Sequence, residues 1–231
     1  MRIGALLFVL LGLLATCDDP APRPAAGEPF PLPEPSVSPA PVLPPPPDFD
    51  TTAWLELTRE DSTVVLDIRY ASVRNFMKQQ IYDCGRCFYR PEVARALLAV
   101  QRDLRELGLG LKMFDCYRPG PYQQRLWDVM PDARYVARPS RGSAHSRGAA
   151  TDLTVVSLDN GEELDMGTPY DYFGEEAYTT TTDLPDTVLA NRALLQRVMR
   201  AHDFSTIRTE WWHFNFDGPR YPLSEWVWPC P

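Results

Sequence analysis

The chain has 231 residues, with 31 acidic against 23 basic side chains, a formal net charge of −8 and a 44% share of hydrophobic residues. That balance, with no Lys/Arg cluster along the sequence, argues against nucleic acid as a partner. The hydrophobic share is ordinary for a globular protein, and the length allows one domain with a sizeable core.

The first residues read as targeting. Arg2 is followed by an almost unbroken apolar run from Ile3 to Ala15, the layout of a secretory signal and too short for a permanent membrane span. We therefore expect a signal peptide over 1–16 and export to a bacterial periplasm or cell envelope. Leu14-Ala15-Thr16-Cys17 resembles the lipobox of bacterial lipoproteins, in which the cysteine carries the lipid that anchors the protein to the membrane. Thr16 departs from the usual small residue, and ordinary signal cleavage is the alternative. Over 17–49 the chain reads as an extended linker, because Pro20 to Pro47 holds 13 of the 24 prolines and almost nothing that builds a core. In polyproline geometry such a tether reaches up to about 90 Å. The folded domain is expected over 50–231.

Within that domain, Thr63 to Tyr70 alternates apolar and polar residues and predicts a strand. Pro91 to Leu107 places Val93, Leu97, Val100, Leu104 and Leu107 at helical spacing, with Pro91 in the first turn and Gly108 past the end. A strand over Leu111 to Cys116, a helix over Pro119 to Met130 and a strand over Ala150 to Leu158 follow, then a helix over Asp186 to Ala201 and a last strand over Trp211 to Phe216. Strands and helices do not alternate regularly, which points to an α+β domain with a mainly antiparallel central sheet flanked by helices. Beyond Cys17 there are four cysteines, Cys84, Cys87, Cys116 and Cys230. In an exported protein they are expected to form two disulfides, with three connectivities open.

Two short motifs carry the chemistry. His145 and Asp152 lie seven residues apart in Ser143-Ala-His-Ser-Arg-Gly-Ala-Ala-Thr-Asp152, and Glu210-Trp-Trp-His213 adds one imidazole and one carboxylate. A catalytic zinc takes three such protein ligands and leaves a position for water, whose proton a further carboxylate must collect. His145, Asp152 and His213 fit the ligand set for one Zn²⁺ per chain, and Glu210 fits the base. The third histidine, His202, ends a predicted helix, where a cation suits the helix dipole without any metal. Residues on one strand face share even spacing, so Glu210 is expected just before the last strand. Gly148 is expected to supply the irregular backbone that lets His145 and Asp152 converge.

These motifs, together with Asp115-Cys-Tyr-Arg118-Pro, Ile68-Arg-Tyr70-Ala-Ser with Asn75-Phe76, and Met166-Gly-Thr-Pro-Tyr-Asp171-Tyr-Phe, resemble blocks of the zinc D-alanyl-D-alanine dipeptidases, the group known from vancomycin resistance. The blocks run in the family's order from about residue 54 to 220, and agreement over five of them is far more specific than any one. The resemblance implies that His145, Asp152 and His213 bind zinc, that Glu210 is the general acid/base, and that Arg118 stabilises the anion formed as water adds to the peptide carbonyl. It further implies that Tyr70 and Asp171 meet the substrate's free amino group and Ser143 its carboxylate. For Arg118, a structural pair with Asp115 is the competing reading. The implied activity is hydrolysis of a small D,D-dipeptide, D-Ala-D-Ala. Two rivals are a D,D-carboxypeptidase or endopeptidase acting on peptidoglycan stem peptides, and a non-catalytic wall-binding lipoprotein, against which Glu210 speaks.

Overall fold

The computed structural model describes residues 45–230. The expected signal peptide, Cys17 with its lipid, and most of the linker lie outside the described residues. In chain order the elements are β1 (Leu55–Glu56), α1 (Leu57–Glu60), β2 (Val65–Leu66), β3 (Phe88–Tyr89), α2 (Pro91–Arg105), β4 (Leu109–Asp115), α3 (Gly120–Val129), β5 (Ala150–Ser157), α4 (Asp186–Arg200), β6 (Phe204–Thr206) and β7 (His213–Phe216). Five strands form one sheet in the order β2-β4-β5-β7-β6, parallel between β2 and β4 and antiparallel elsewhere. β1 and β3 form a separate antiparallel pair.

The helix α2 buries the stripe Val93, Ala94, Leu97, Val100 and Leu104 against the sheet. Each of the Val and Leu side chains contributes about 1.5–3 kcal/mol on full burial. Gln101 lies in the same stripe and is satisfied at both ends of its amide. Its oxygen accepts from the Leu111 N–H at 2.7 Å and its Nε2 donates to Thr63 Oγ1 at 3.0 Å, so it ties α2 to the start of β4. The chain leaves the helix through Gly108 at φ +72°, a conformation that favours glycine. β5 is the middle strand, and Ala150 to Val156 are all buried, the polar Thr151, Asp152 and Thr154 included. α4 buries Arg192 among its apolar residues. That guanidinium donates to the Met166 carbonyl at 2.6 Å and to the Glu176 carbonyl at 2.9 Å, pinning the long connection between β5 and α4.

The expected strand over Thr63 to Tyr70 is much shorter, only Val65–Leu66. Its ladder ends where the Asp67 N–H donates to the Met113 carbonyl. The Asp67 side chain then pairs with Arg69 at 2.9 Å, and the backbone turns into a 3-10 turn over Arg69–Ala71 that carries Tyr70. Packing against the body begins at Pro45, ahead of the expected boundary at 50. The Pro45 carbonyl accepts from Arg59, Phe49 meets Phe88 edge-on at 5.0 Å, and Asp48 pairs with Arg86 at 2.8 Å. At the other end, residues 217–230 have no regular structure and are anchored by aromatic packing, Trp226 on Trp54 at 5.2 Å and buried Trp228 beside Tyr82 at 5.6 Å.

Of the three connectivities, the structure has Cys84–Cys230 and Cys87–Cys116. Non-reducing peptide mapping of the protein from an oxidising compartment is expected to return those two cross-linked pairs. Four alkylatable thiols, or a Cys84–Cys87 pair, would contradict it.

Candidate active site

The residues of the site come together because of where β5 and β7 place them. Asp152 and His213 are direct partners in the antiparallel ladder, so their side chains leave the same face of the sheet side by side. His145 reaches them from a 3-10 turn, His145–Arg147, that ends on Gly148 at φ +69°. A Cβ at 148 would lie 2.6 Å from the Trp54 ring, so both the backbone angle and the space require glycine there. Glu210 sits just before β7. Trp211 and Trp212 make a turn, the His213 N–H donates to the Glu210 carbonyl at 3.4 Å, and Glu210 and His213 thereby face the same cavity.

His145 Nε2, His213 Nδ1 and an Asp152 oxygen lie within 4.8 Å of one another. Asp152 Oδ1 is 2.9 Å from His213 Nδ1 and 3.3 Å from His145 Nε2. The far ring nitrogens are held by acceptors. His145 Nδ1–H donates to the Cys116 carbonyl at 2.8 Å and His213 Nε2–H to Asn215 Oδ1 at 3.1 Å. Each acceptor holds the outer ring N–H, so the inner nitrogen is the one a metal would take, the arrangement of a metal-ligating histidine. Tyr170 donates to Asp152 Oδ2 at 2.9 Å, leaving Oδ1 for the centre. Burial works against charge on His213, yet its hydrogen bond with Asp152 outweighs this and raises the imidazole to about 9. Burial likewise opposes charge on Asp152, and the two imidazoles overcome it, holding the carboxyl well below the usual carboxylate range. The centre thus favours positive charge, and its nitrogen and oxygen donors fit a zinc ion.

Arg118 is buried and forms the structural pair with Asp115, while the side of its guanidinium away from that pair meets the cavity. Its Nη2 donates to Asp115 Oδ2 at 2.5 Å, its Nε to the same oxygen at 3.1 Å, and its Nη1 to Gln123 at 3.1 Å, while the group also lines the cavity. Those bonds occupy three of the five guanidinium N–H groups, so two remain for a ligand. Asp115 has no exposed surface and also accepts from Tyr82 at 2.7 Å and from the Cys116 N–H at 3.0 Å. Asp115→Ala would leave a buried guanidinium without its counter-ion. It is expected to cost about 3–5 kcal/mol in urea unfolding, and an unchanged midpoint would show that Arg118 finds another partner.

Tyr70, Arg118, Ser143, His145, Asp152, Asp171, Glu210 and His213 all line one cavity of about 150 Å³. The Tyr70 hydroxyl donates to Asp171 Oδ2 at 3.3 Å, and burial keeps that phenol protonated by raising it far above its ordinary value. Asp171 takes φ +60°; burial, then the charges of Asp152 and Glu210, push its carboxyl well above the usual carboxylate range. It is an acid short of a cation. Ser143 accepts from the Ser146 N–H at 3.2 Å and faces the cavity with its residue. Three supports were not read from sequence: Asn215, Tyr170 and the Cys116 carbonyl. Asn215 could have been, since it follows His213 by two residues on a strand and so shares its face. A larger cleft of about 390 Å³ between Arg69, Phe114 and Trp211 contains none of the candidate residues.

The profile of the D-ala-D-ala dipeptidase family matches residues 53–225, a span that holds every residue of the cavity. The D-alanyl-D-alanine dipeptidase of Escherichia coli (strain K12) is 34% identical over 175 residues, 75% of this chain and 90% of the relative. The dipeptidase of the same name from Enterococcus faecalis (strain ATCC 700802 / V583) is 30% identical over 176 residues, 68% of this chain and 87% of that one. That of Streptomyces coelicolor (strain ATCC BAA-471 / A3(2) / M145) is 31% identical over 187 residues, 71% and 91% of the two chains. With the family profile spanning most of the chain and these relatives matched over nearly their full lengths, the chain belongs to the D-ala-D-ala dipeptidase family and is a zinc peptidase.

Proposed function

We propose that this protein hydrolyses free D-Ala-D-Ala to two molecules of D-Ala, with one Zn²⁺ per chain held by His145, Asp152 and His213. The observation that carries this is the size and lining of the cavity. At about 150 Å³ it is well below the ~300–1,000 Å³ of ordinary ligand pockets, yet it is lined by a base, a free-handed arginine and charged or polar groups suited to both ends of a dipeptide. Zinc bound there would supply Lewis acidity and lower the pKa of water toward neutrality.

Glu210 accepts the proton of the attacking water and returns one to the leaving amine. Burial raises its carboxyl and the Asp152 charge adds to this, while His213 pulls the other way, so the group sits above the ordinary glutamate value, as a proton carrier at neutral pH requires. The two uncommitted N–H groups of Arg118 receive the negative charge that develops on the carbonyl oxygen. Asp171, with the Tyr70 hydroxyl beside it, takes the substrate's ammonium, the cation it otherwise lacks. Ser143 takes the carboxylate. No covalent intermediate is needed, and Ser146 and the cysteines have no role as nucleophiles.

Purified protein with measured zinc content is expected to consume free D-Ala-D-Ala and to leave a stem pentapeptide ending in D-Ala-D-Ala intact. Release of D-Ala from the pentapeptide at comparable kcat/KM would replace the dipeptidase by a D,D-carboxypeptidase. The leader-like residues 1–17 support a further proposal, that the enzyme works outside the cytosol on dipeptide derived from the wall, in scavenging or turnover, where it cannot intercept precursors before their assembly.

A further inference from the structure

Tyr135, Phe173 and Glu210 line a second cavity as well as the first. It measures about 250 Å³ and is completed by Arg134, Tyr172, Tyr178 and Thr209. Between the two stands an aromatic pair. The rings of Tyr135 and Phe173 have centroids 4.7 Å apart at 59°, and Phe76 meets Phe173 edge-on at 5.0 Å. The pair is drawn from separate segments, Tyr135 after α3 and Phe173 between β5 and α4. Tyr135 is 44% exposed and Phe173 50%, so neither belongs to the core. An aromatic contact between two half-exposed rings adds little beyond its buried area, so it can be removed without unfolding the domain. Phe173 also follows Asp171 by two residues. It therefore faces both cavities from a position next to the proposed amine anchor.

We propose that the Tyr135–Phe173 pair is the wall that restricts the substrate to a free dipeptide, and that the second cavity is the subsite an N-terminally extended peptide would enter once the wall is gone. The inference rests on the dipeptidase reading and adds a specificity determinant to it. A residue attached to the amino end of D-Ala-D-Ala replaces the ammonium with an amide and must leave the small cavity. The exit toward the larger one is filled by two rings. The reacting bond is unchanged: water adds across the last peptide bond, the C–N bond breaks, and D-Ala leaves with the proton its amine needs. What changes is which peptides can be seated.

Phe173→Ala removes the ring from the wall and Phe173→Leu keeps an apolar side chain there. Each is to be compared with the unmodified protein on D-Ala-D-Ala and on L-Lys-D-Ala-D-Ala at equal zinc content. In Phe173→Ala the ratio of tripeptide to dipeptide kcat/KM is expected to rise by at least about tenfold, the scale on which pocket shape discriminates between substrates, and in Phe173→Leu to stay close to its starting value. Calorimetric titration of the tripeptide is the second readout, and it should show tighter binding to Phe173→Ala. An unchanged ratio together with unchanged tripeptide affinity would overturn the wall. If the unmodified protein does not hydrolyse D-Ala-D-Ala at all, the dipeptidase reading falls separately. The titration then decides the wall by itself, with tighter tripeptide binding to Phe173→Ala supporting it and equal binding overturning it.

Discussion

Glu210→Gln is expected to lower kcat on D-Ala-D-Ala by about 10³- to 10⁴-fold, the upper part of the range for removing a general acid/base, with zinc content and fold retained. The amide fills the same space and cannot take a proton from water. In the proposed mechanism one residue serves both proton transfers and neither step has a substitute: the other carboxylates facing the cavity are Asp152, between two imidazoles, and Asp171, beside the Tyr70 hydroxyl. Glu210 itself donates nothing to the metal centre's hydrogen bonds. Its carboxylate lies 3.9 Å from His213 Nδ1, so the centre should survive the change. Activity above about a tenth of the unmodified protein's at equal zinc, far outside that range, would show that the proton goes elsewhere.

Asp152→Ala is expected to abolish turnover by a different route, through loss of the metal. Asp152 is the hub of the centre, contacted by both imidazoles through Oδ1 and by Tyr170 through Oδ2. Its removal leaves two neutral nitrogens with no anionic partner for a dication, and a buried hydroxyl without its acceptor. Elemental analysis after dialysis should find almost no zinc in Asp152→Ala, His145→Ala or His213→Ala, against full retention in Glu210→Gln. Circular dichroism on the same samples separates metal loss from unfolding. Full zinc retention in all three alanine variants would remove the ligand assignment, while Glu210→Gln losing its zinc would move Glu210 into the ligand set.

The elements with long, regular apolar patterns were legible in the sequence. α2 and α4 end within a few residues of their expected bounds because a stripe of apolar residues over fifteen positions has one helical solution. β5 was legible as a strand over Ala150 to Leu158, starting at the Gly148 turn. The pieces that escaped are short. β1 and β3 have two residues each and β6 has three, too few for any period to show, and their pairing is fixed by tertiary packing. Tyr70 was placed at a strand end and lies in a 3-10 turn, because the charged neighbours of Asp67 redirect the chain after Leu66. The placement of the site residues was accessible for a different reason. His, Asp, Glu and Arg in motifs beside glycine and aromatic residues announce their chemistry through residue type, whereas the Cys116 carbonyl is backbone and leaves no mark in a sequence.

Cys230 is the partner of Cys84 across 146 positions. The Pro229 carbonyl beside it accepts from Arg86, which also grips Asp48 and Glu56, so the beginning, middle and end of the domain are knotted at one point. A chain emerging from a ribosome or a secretion pore delivers Cys230 only after Cys84 and every strand of the sheet have passed through. The clasp can therefore close only once the whole sheet is out, and until then the emerging chain stays threadable. Where the chain matures then decides how its tail is held: by a covalent latch in an oxidising space, and by aromatic packing and the Arg86 bond alone wherever thiols are kept reduced.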